Sequence, residues 1–112
     1  GSAAQFKAFM DAMASRWYTQ AWNGKWAGGF TASSLASGDK LNCLQDLVTF
    51  AMQMGMIWVG TGTTMGDELN PNGYYLGVGA SASSAEQLGD VDINTAKHLG
   101  RRIAKLASSL PA

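Results

Sequence analysis

Apolar positions between residues 39 and 54 recur at three- and four-residue steps: Leu41, Leu44, Val48, Ala51 and Met52. That period places them on one face and predicts a helix over 39–54. Asp39, after Gly38, is its expected N-cap, because a carboxylate can accept from the unpaired amides of the first turn. Gly55 is the expected stop, free to take the left-handed conformation. On either side lie short apolar runs without the helical period. Trp26 to Thr31, rich in Trp, Gly and Phe, and Gly55 to Gly60, a Met-Ile-Trp-Val core between glycines, each predict a strand. Strand, loop, helix and strand in this order predict a βαβ unit with a right-handed crossover and parallel strands. Its loop, Thr31 to Gly38, is a Thr/Ser/Gly run at the end of a strand, where parallel sheets hold ligands.

The flanks complete the pattern. Phe6, Phe9, Met10, Met13 and Trp17 predict a helix within Ala3 to Gln20, broken off by Asn23-Gly24. Thr61 to Asp92 is rich in Gly, Ser, Thr and Asn, contains Pro71 and has almost no periodicity; so long an irregular stretch is uncommon unless it is functional or mobile. The period returns in Ala96, Leu99, Gly100, Ile103, Ala104, Leu106, Ala107 and Leu110, predicting a last helix with Arg101, Arg102 and Lys105 largely on the solvent side. Asp92 or Asn94 is its expected cap, and Pro111 follows its end. Two parallel strands alone leave both edges and much of both faces bare, so something must complete the sheet.

Composition narrows the function classes. A chain of 112 residues, 46% hydrophobic, fits one globular domain, here 3–112 once Gly1-Ser2 is set aside as the scar of an expression tag. Eight basic and eight acidic residues, with no basic run, lack the footprint of a nucleic-acid binder. No apolar stretch is long enough to cross a bilayer, so no membrane partner is expected. Cys43 is the single cysteine, which excludes an internal disulfide and fits a reducing, cytoplasmic setting.

Candidate chemistry is sparse. Cys43, beside Leu44 and Leu47, has no adjacent base and reads as a small buried residue. His98 has no Cys, Asp or Glu at metal-ligand spacing. Asp67 and Glu68 are adjacent loop acids of the solvated kind. Gly60-Thr-Gly62 with Gly66 lacks the spacing of a dinucleotide loop, and no helix follows it. Trp17 can stack on a flat heterocycle or pack as core; the loop from Thr31 can cradle a polar ligand or merely connect.

The segments Phe9 to Trp17, Lys25 to Phe30 with its Thr/Ser loop, Met52 to Val59, and Ala96 to Ala104 resemble, in order and spacing, the C-terminal half of flavodoxin-like NAD(P)H:quinone oxidoreductases. The tryptophan repressor binding protein (WrbA) type and NADPH-dependent FMN reductases are the nearest group. The resemblance implies an α/β, flavodoxin-like half-domain, α-β-α-β-α with parallel strands, in a three-layer sandwich completed by oligomerisation. It implies FMN as cofactor, with Ala32, Ser33, Ser34, Leu35, Ala36 and Ser37 facing the flavin and Trp17 near the ring across a subunit interface. The family's phosphate-binding loop, which precedes these elements, has no counterpart in this sequence. The family loop is also richer in glycine than Leu35-Ala36, which carries an apparent one-residue insertion, and Gln53-Met54 stands where relatives carry a histidine.

Two readings follow. The first is a fragment or derivative of an FMN-dependent NAD(P)H:quinone or flavin reductase, not catalytic alone, with a missing N-terminal half as a possible partner. The alternative is a non-enzymatic, self-associating α/β domain that pairs as a homo-oligomer through the open sheet edge.

Overall fold

The computed structural model describes residues 1–109. Leu110 and Pro111, expected at the end of the last helix, lie outside the described residues. Along the chain run α1 (Ala4–Asp11), α2 (Ala14–Thr19), β1 (Trp26–Ala27), β2 (Phe30–Ser33), α3 (Lys40–Gln53), β3 (Ile57–Trp58), β4 (Val78–Ser81), a 3₁₀ turn (Ala85–Gln87) and α4 (Asp90–Ser109).

The strands are parallel, as expected, but each is interrupted. Trp26 and Ala27 pair with Ile57 and Trp58, whereas Phe30 to Ser33 pair with Val78 to Ser81. The hydrogen bonds reveal one continuous ladder. Ile57 N–H donates to Lys25 C=O at 2.8 Å, Val59 to Ala27 at 2.8 Å, Val78 to Gly29 at 3.0 Å and Ala82 to Ser33 at 2.9 Å. The first strand therefore runs unbroken in its hydrogen bonding from 25 to 33. Its partner leaves the ladder after Val59 and rejoins it at Val78, with 60–77 as an excursion between.

Three expectations are corrected here. The first strand continues through Ser33, so Ala32 and Ser33 belong to β2 and not to the loop. The stretch 61–92 is not wholly irregular, because it contains β4. The first helix is split: the N–H of Ala12 is shared between the carbonyls of Ala8 and Phe9 and that of Met13 bonds Met10, tightening the chain into a turn without glycine or proline.

The excursion is tied down by buried polar groups. Thr95 Oγ1 accepts from Asn70 N–H at 2.8 Å and donates to Val91 C=O at 2.7 Å. Thr61 N–H donates to Tyr75 C=O at 3.1 Å, and Trp58 Nε1–H to Leu76 C=O at 2.8 Å. Glycine is required where the strands close up again, since a Cβ on Gly77 would lie 2.5 Å from Gly29 O.

Helices cover both faces of the ladder, giving the three expected layers. On the α4 side, Val59, Val78 and Leu99 form a buried cluster joined by Trp26, Ile103 and Leu106. On the other side, α3 buries Lys40, Cys43, Leu44 and Ala51. Burying a side chain such as Leu44 contributes about 1.5–3 kcal/mol. The buried stripe of α3 is rotated from the expected one: Leu41 and Met52 are exposed. Helices α1 and α2 bury no residue; Phe9 of α1 and Trp22, in the turn after α2, meet the Phe50 ring of α3 edge-on at 6.4 and 6.3 Å. Such aromatic pairs add about 0.5–1.5 kcal/mol each.

Candidate functional site

At the carboxyl ends of β2 and β4 the chain turns into α3 and α4. The first of these turns, 34–39, holds four of the residues expected to face a ligand: Ser34, Leu35, Ala36 and Ser37, all exposed. Its conformation is set by a glycine and an unusual aspartate. Gly38 has φ +46°, and a Cβ there would fall 1.9 Å from Ser33 Oγ. Asp39 stands at the N-cap position of α3, as expected, but in the left-handed region (φ 56°, ψ 26°) and with no side-chain cap bond. Its capping role is therefore not realised, because the carboxylate is not presented to the first-turn amides from the extended backbone that N-caps adopt.

The carbonyls of this loop are taken up by donors from the same chain. Leu35 C=O accepts from Ser33 Oγ at 3.1 Å and from Lys40 Nζ. Ala36 C=O accepts from Lys40 Nζ at 3.0 Å and Tyr74 OH at 3.4 Å. Ser37 C=O accepts from Lys40 N–H at 3.0 Å and Tyr74 OH at 3.4 Å. The amides, in contrast, are unspent. Among the described residues, the backbone N–H groups of Ser34 to Asp39 make no hydrogen bond. A loop whose carbonyls are bound and whose N–H groups are free, leading into a helix N-terminus, is suited to acceptor atoms or negative charge.

Behind it lies Lys40, 1% exposed. The one ion pair among the described residues is Lys7–Asp11, so no carboxylate balances this ammonium. The sequence reading missed Lys40 and Tyr74. Lys40 is in step with Leu44, Leu47 and Ala51, and that i, i+4, i+7, i+11 series was the signal that its stem joins the buried face of α3.

The remaining candidates are scattered. Ala32 lines an apolar cleft of about 470 Å³ on the α4 side, with Phe30, Val78, Ala80, Ile93 and Ala96. A second cleft, about 410 Å³, lies on the α3 side of the same strand, lined by Phe6, Gly29, Phe30, Leu47 and Trp58 among others. Trp17 is 52% exposed and lines a third cleft with Met10, Met13, Gln53 and Met54, at the C-terminal end of α3. Within one chain the structure therefore does not bring Trp17 to the loop, which adjoins the opposite end of that helix, nor does it bury Trp17 as core.

Cys43 is buried, and Asp67 and Glu68 are exposed, as expected. His98 Nε2 is buried without a hydrogen-bond partner. No cluster of metal-ligating side chains occurs among the described residues, and no helix among them is long and apolar enough to cross a membrane.

Known proteins resemble this chain over nearly its whole length. It is 34% identical over 118 residues to flavodoxin FldP of Pseudomonas aeruginosa, covering 96% of this chain and 64% of that protein. It is 32% identical over 115 residues to quinone-oxidoreductase QR2 of Triphysaria versicolor, covering 96% and 56%. The crystal structure of a WrbA-like flavodoxin from Agrobacterium tumefaciens superposes with a TM-score of 0.80 at 36% identity, over 97% of this chain and 59% of that one. No family profile matches. The chain spans less than two thirds of each of these relatives. With its parallel ladder, α3 and α4 on opposite faces and the loop at the strand ends, the chain has the flavodoxin-like, WrbA-like α/β fold, and its homologues are flavodoxins and quinone oxidoreductases.

Proposed function

We propose that this chain forms one side of the FMN site of a flavodoxin-like NAD(P)H:quinone or flavin reductase and is not catalytic by itself. The observation that carries the reading is the loop 34–39, with its carbonyls bound by Lys40, Tyr74 and Ser33 and its amides free. These donors fit the acceptor-lined edge of an isoalloxazine ring. FMN bound there would supply the hydride and electron transfer. The chain's own contribution is to bind and orient, through the amides of 34–39 and the side chains of Ser34 and Ser37. The phosphate end needs a second donor loop. The part of the relatives that lies beyond the matched region, on this polypeptide or another, is the proposed source.

The test is a flavin fluorescence titration with FMN at several protein concentrations, followed by an assay of NAD(P)H-dependent quinone reduction. Weak, saturable quenching without turnover is expected. No quenching would remove the flavin reading; turnover near ~10 s⁻¹, an ordinary enzyme rate, would remove the claim that the chain is inactive alone.

A second reading, self-association, is favoured by the open edge. The ladder uses the carbonyls of residues 25, 27, 29 and 33, so parallel-strand geometry turns the backbone groups of Trp26, Gly28, Phe30 and Ala32 outward. Apolar clefts flank that edge on both faces, and Phe30 is 74% exposed. Pairing of two copies along it would make a four-stranded sheet. Light scattering should then give twice the chain mass, and a monodisperse monomer would contradict it.

A further inference from the structure

Lys40 is the least expected residue in the molecule. It sits in the first turn of α3, where the helix dipole disfavours a cation, and it is almost wholly buried with no carboxylate partner among the described residues. Taking an ammonium out of water is costly unless strong acceptors meet it. The acceptors that meet this one are the carbonyls of Leu35 and Ala36.

The stem is held as firmly as the head. A Cβ on Gly79 would lie 3.1 Å from Lys40 Cδ and 2.5 Å from the Tyr74 ring, so the lysine stem and the tyrosine pack side by side over a strand position that admits no side chain. Gly79 is itself paired with Thr31 in the ladder. The ammonium is thus fixed relative to the sheet, and through it so are two successive loop carbonyls.

A peptide unit has its N–H and C=O on opposite sides. Drawing the Leu35 and Ala36 carbonyls inward therefore turns the N–H groups of Ala36 and Ser37 outward. We propose that Lys40 is a positioning residue: it orients the loop 34–39 as an outward-facing set of amide donors and leaves an uncompensated positive charge behind them. It does not itself touch the ligand. The proposal deepens the flavin reading and rests on it only for the identity of the ligand; the orientation of the loop is a property of the chain alone.

The test uses the full chain and its Lys40→Met variant, which keeps the stem and removes the donors. Backbone ¹⁵N relaxation of the ligand-free proteins should give rigid order parameters of about 0.85 for 34–39 in the wild type, falling below about 0.6 in K40M while β1 to β4 are unchanged. FMN affinity should fall at least tenfold in K40M, to the level of no detectable amide response. Equal rigidity of the loop in both proteins would overturn the proposal. A wild-type loop that is ordered by Lys40 yet indifferent to FMN would sink the flavin reading and leave the role of Lys40 standing.

Should K40M fail to fold, the wild type carries a second measurement, the solvent exchange of lysine ammonium protons. The Lys40 signal should be protected and that of exposed Lys7 should not. Exchange of Lys40 as fast as that of Lys7 would overturn the proposal on its own.

Discussion

Two loops at the same end of the sheet connect a strand to a helix, and they differ in how many of their own amides are bound. In 34–39 the carbonyls are bound and the amides are free. In 82–89 four amides are taken up: Ala82 N–H by Ser33 C=O, Ser83 N–H by Gln87 Oε1, Gln87 N–H by Ser84 C=O and Leu88 N–H by Ala85 C=O. The charges differ in the same sense. A buried lysine opens α3, while Asp90 and Asp92 open α4 and already complement its dipole. Position at the end of a parallel strand therefore does not make a ligand loop. The difference in 34–39 is that the chain supplies its own donors to the carbonyls and leaves the amides unspent.

The same substitution placed in both loops should separate them by sign. Gly38→Ser meets the Ser33 side chain and a left-handed backbone, and should cost about 2–4 kcal/mol, read as a fall in the denaturation midpoint. Next in size is Thr95→Val. It strands the Asn70 amide in a buried site and should cost about 1–3 kcal/mol, while the amide shifts of 34–39 stay where they are. A change in that loop's spectrum would show that it is coupled to the excursion.

Tyr74→Phe removes two long hydrogen bonds to Ala36 and Ser37, and about 1 kcal/mol or less is expected, with Lys40 still holding the loop. A larger loss would shift the weight of the account from the lysine to the tyrosine. Gly89→Ser, the counterpart of the first change, meets nothing within 4 Å, has no positive φ and offers a hydroxyl to the first turn of α4. It should stabilise by a few tenths of a kcal/mol.

The smallest effect concerns pH. The Glu86 carboxyl is held below its ordinary range by its own backbone N–H first and the Ser84 hydroxyl second. A depressed carboxyl stabilises the fold above its unfolded pKa and loses that contribution as pH falls through the folded value. Glu86→Gln should slightly flatten the acid limb of a stability profile and leave neutral pH unaffected in shape.

Much of the architecture was legible in the sequence because it rests on period and punctuation. The α3 pattern, the stop at Gly55 (φ +75°) and the parallel pairing across the crossover are of this kind. β4 was not legible, since Val78-Gly-Ala-Ser81 carries no apolar alternation. Small residues stand there because Tyr74, Lys40 and the facing strand press against them, which is a tertiary reason. The break between α1 and α2 has no glycine or proline to mark it. The loop is a candidate from its polar composition, but its donor polarity depends on Lys40 and Tyr74, residues that composition assigns to solvent or core. Trp17 is tied to the flavin by resemblance alone and across a subunit interface; within its own chain it lies beside Gln53 and Met54.

The most direct test is an FMN titration of ¹⁵N-labelled protein followed amide by amide. The account predicts shifts concentrated in 34–39, with the amides of 82–88 unmoved. Shifts centred on 82–88, or none in either loop, would contradict it.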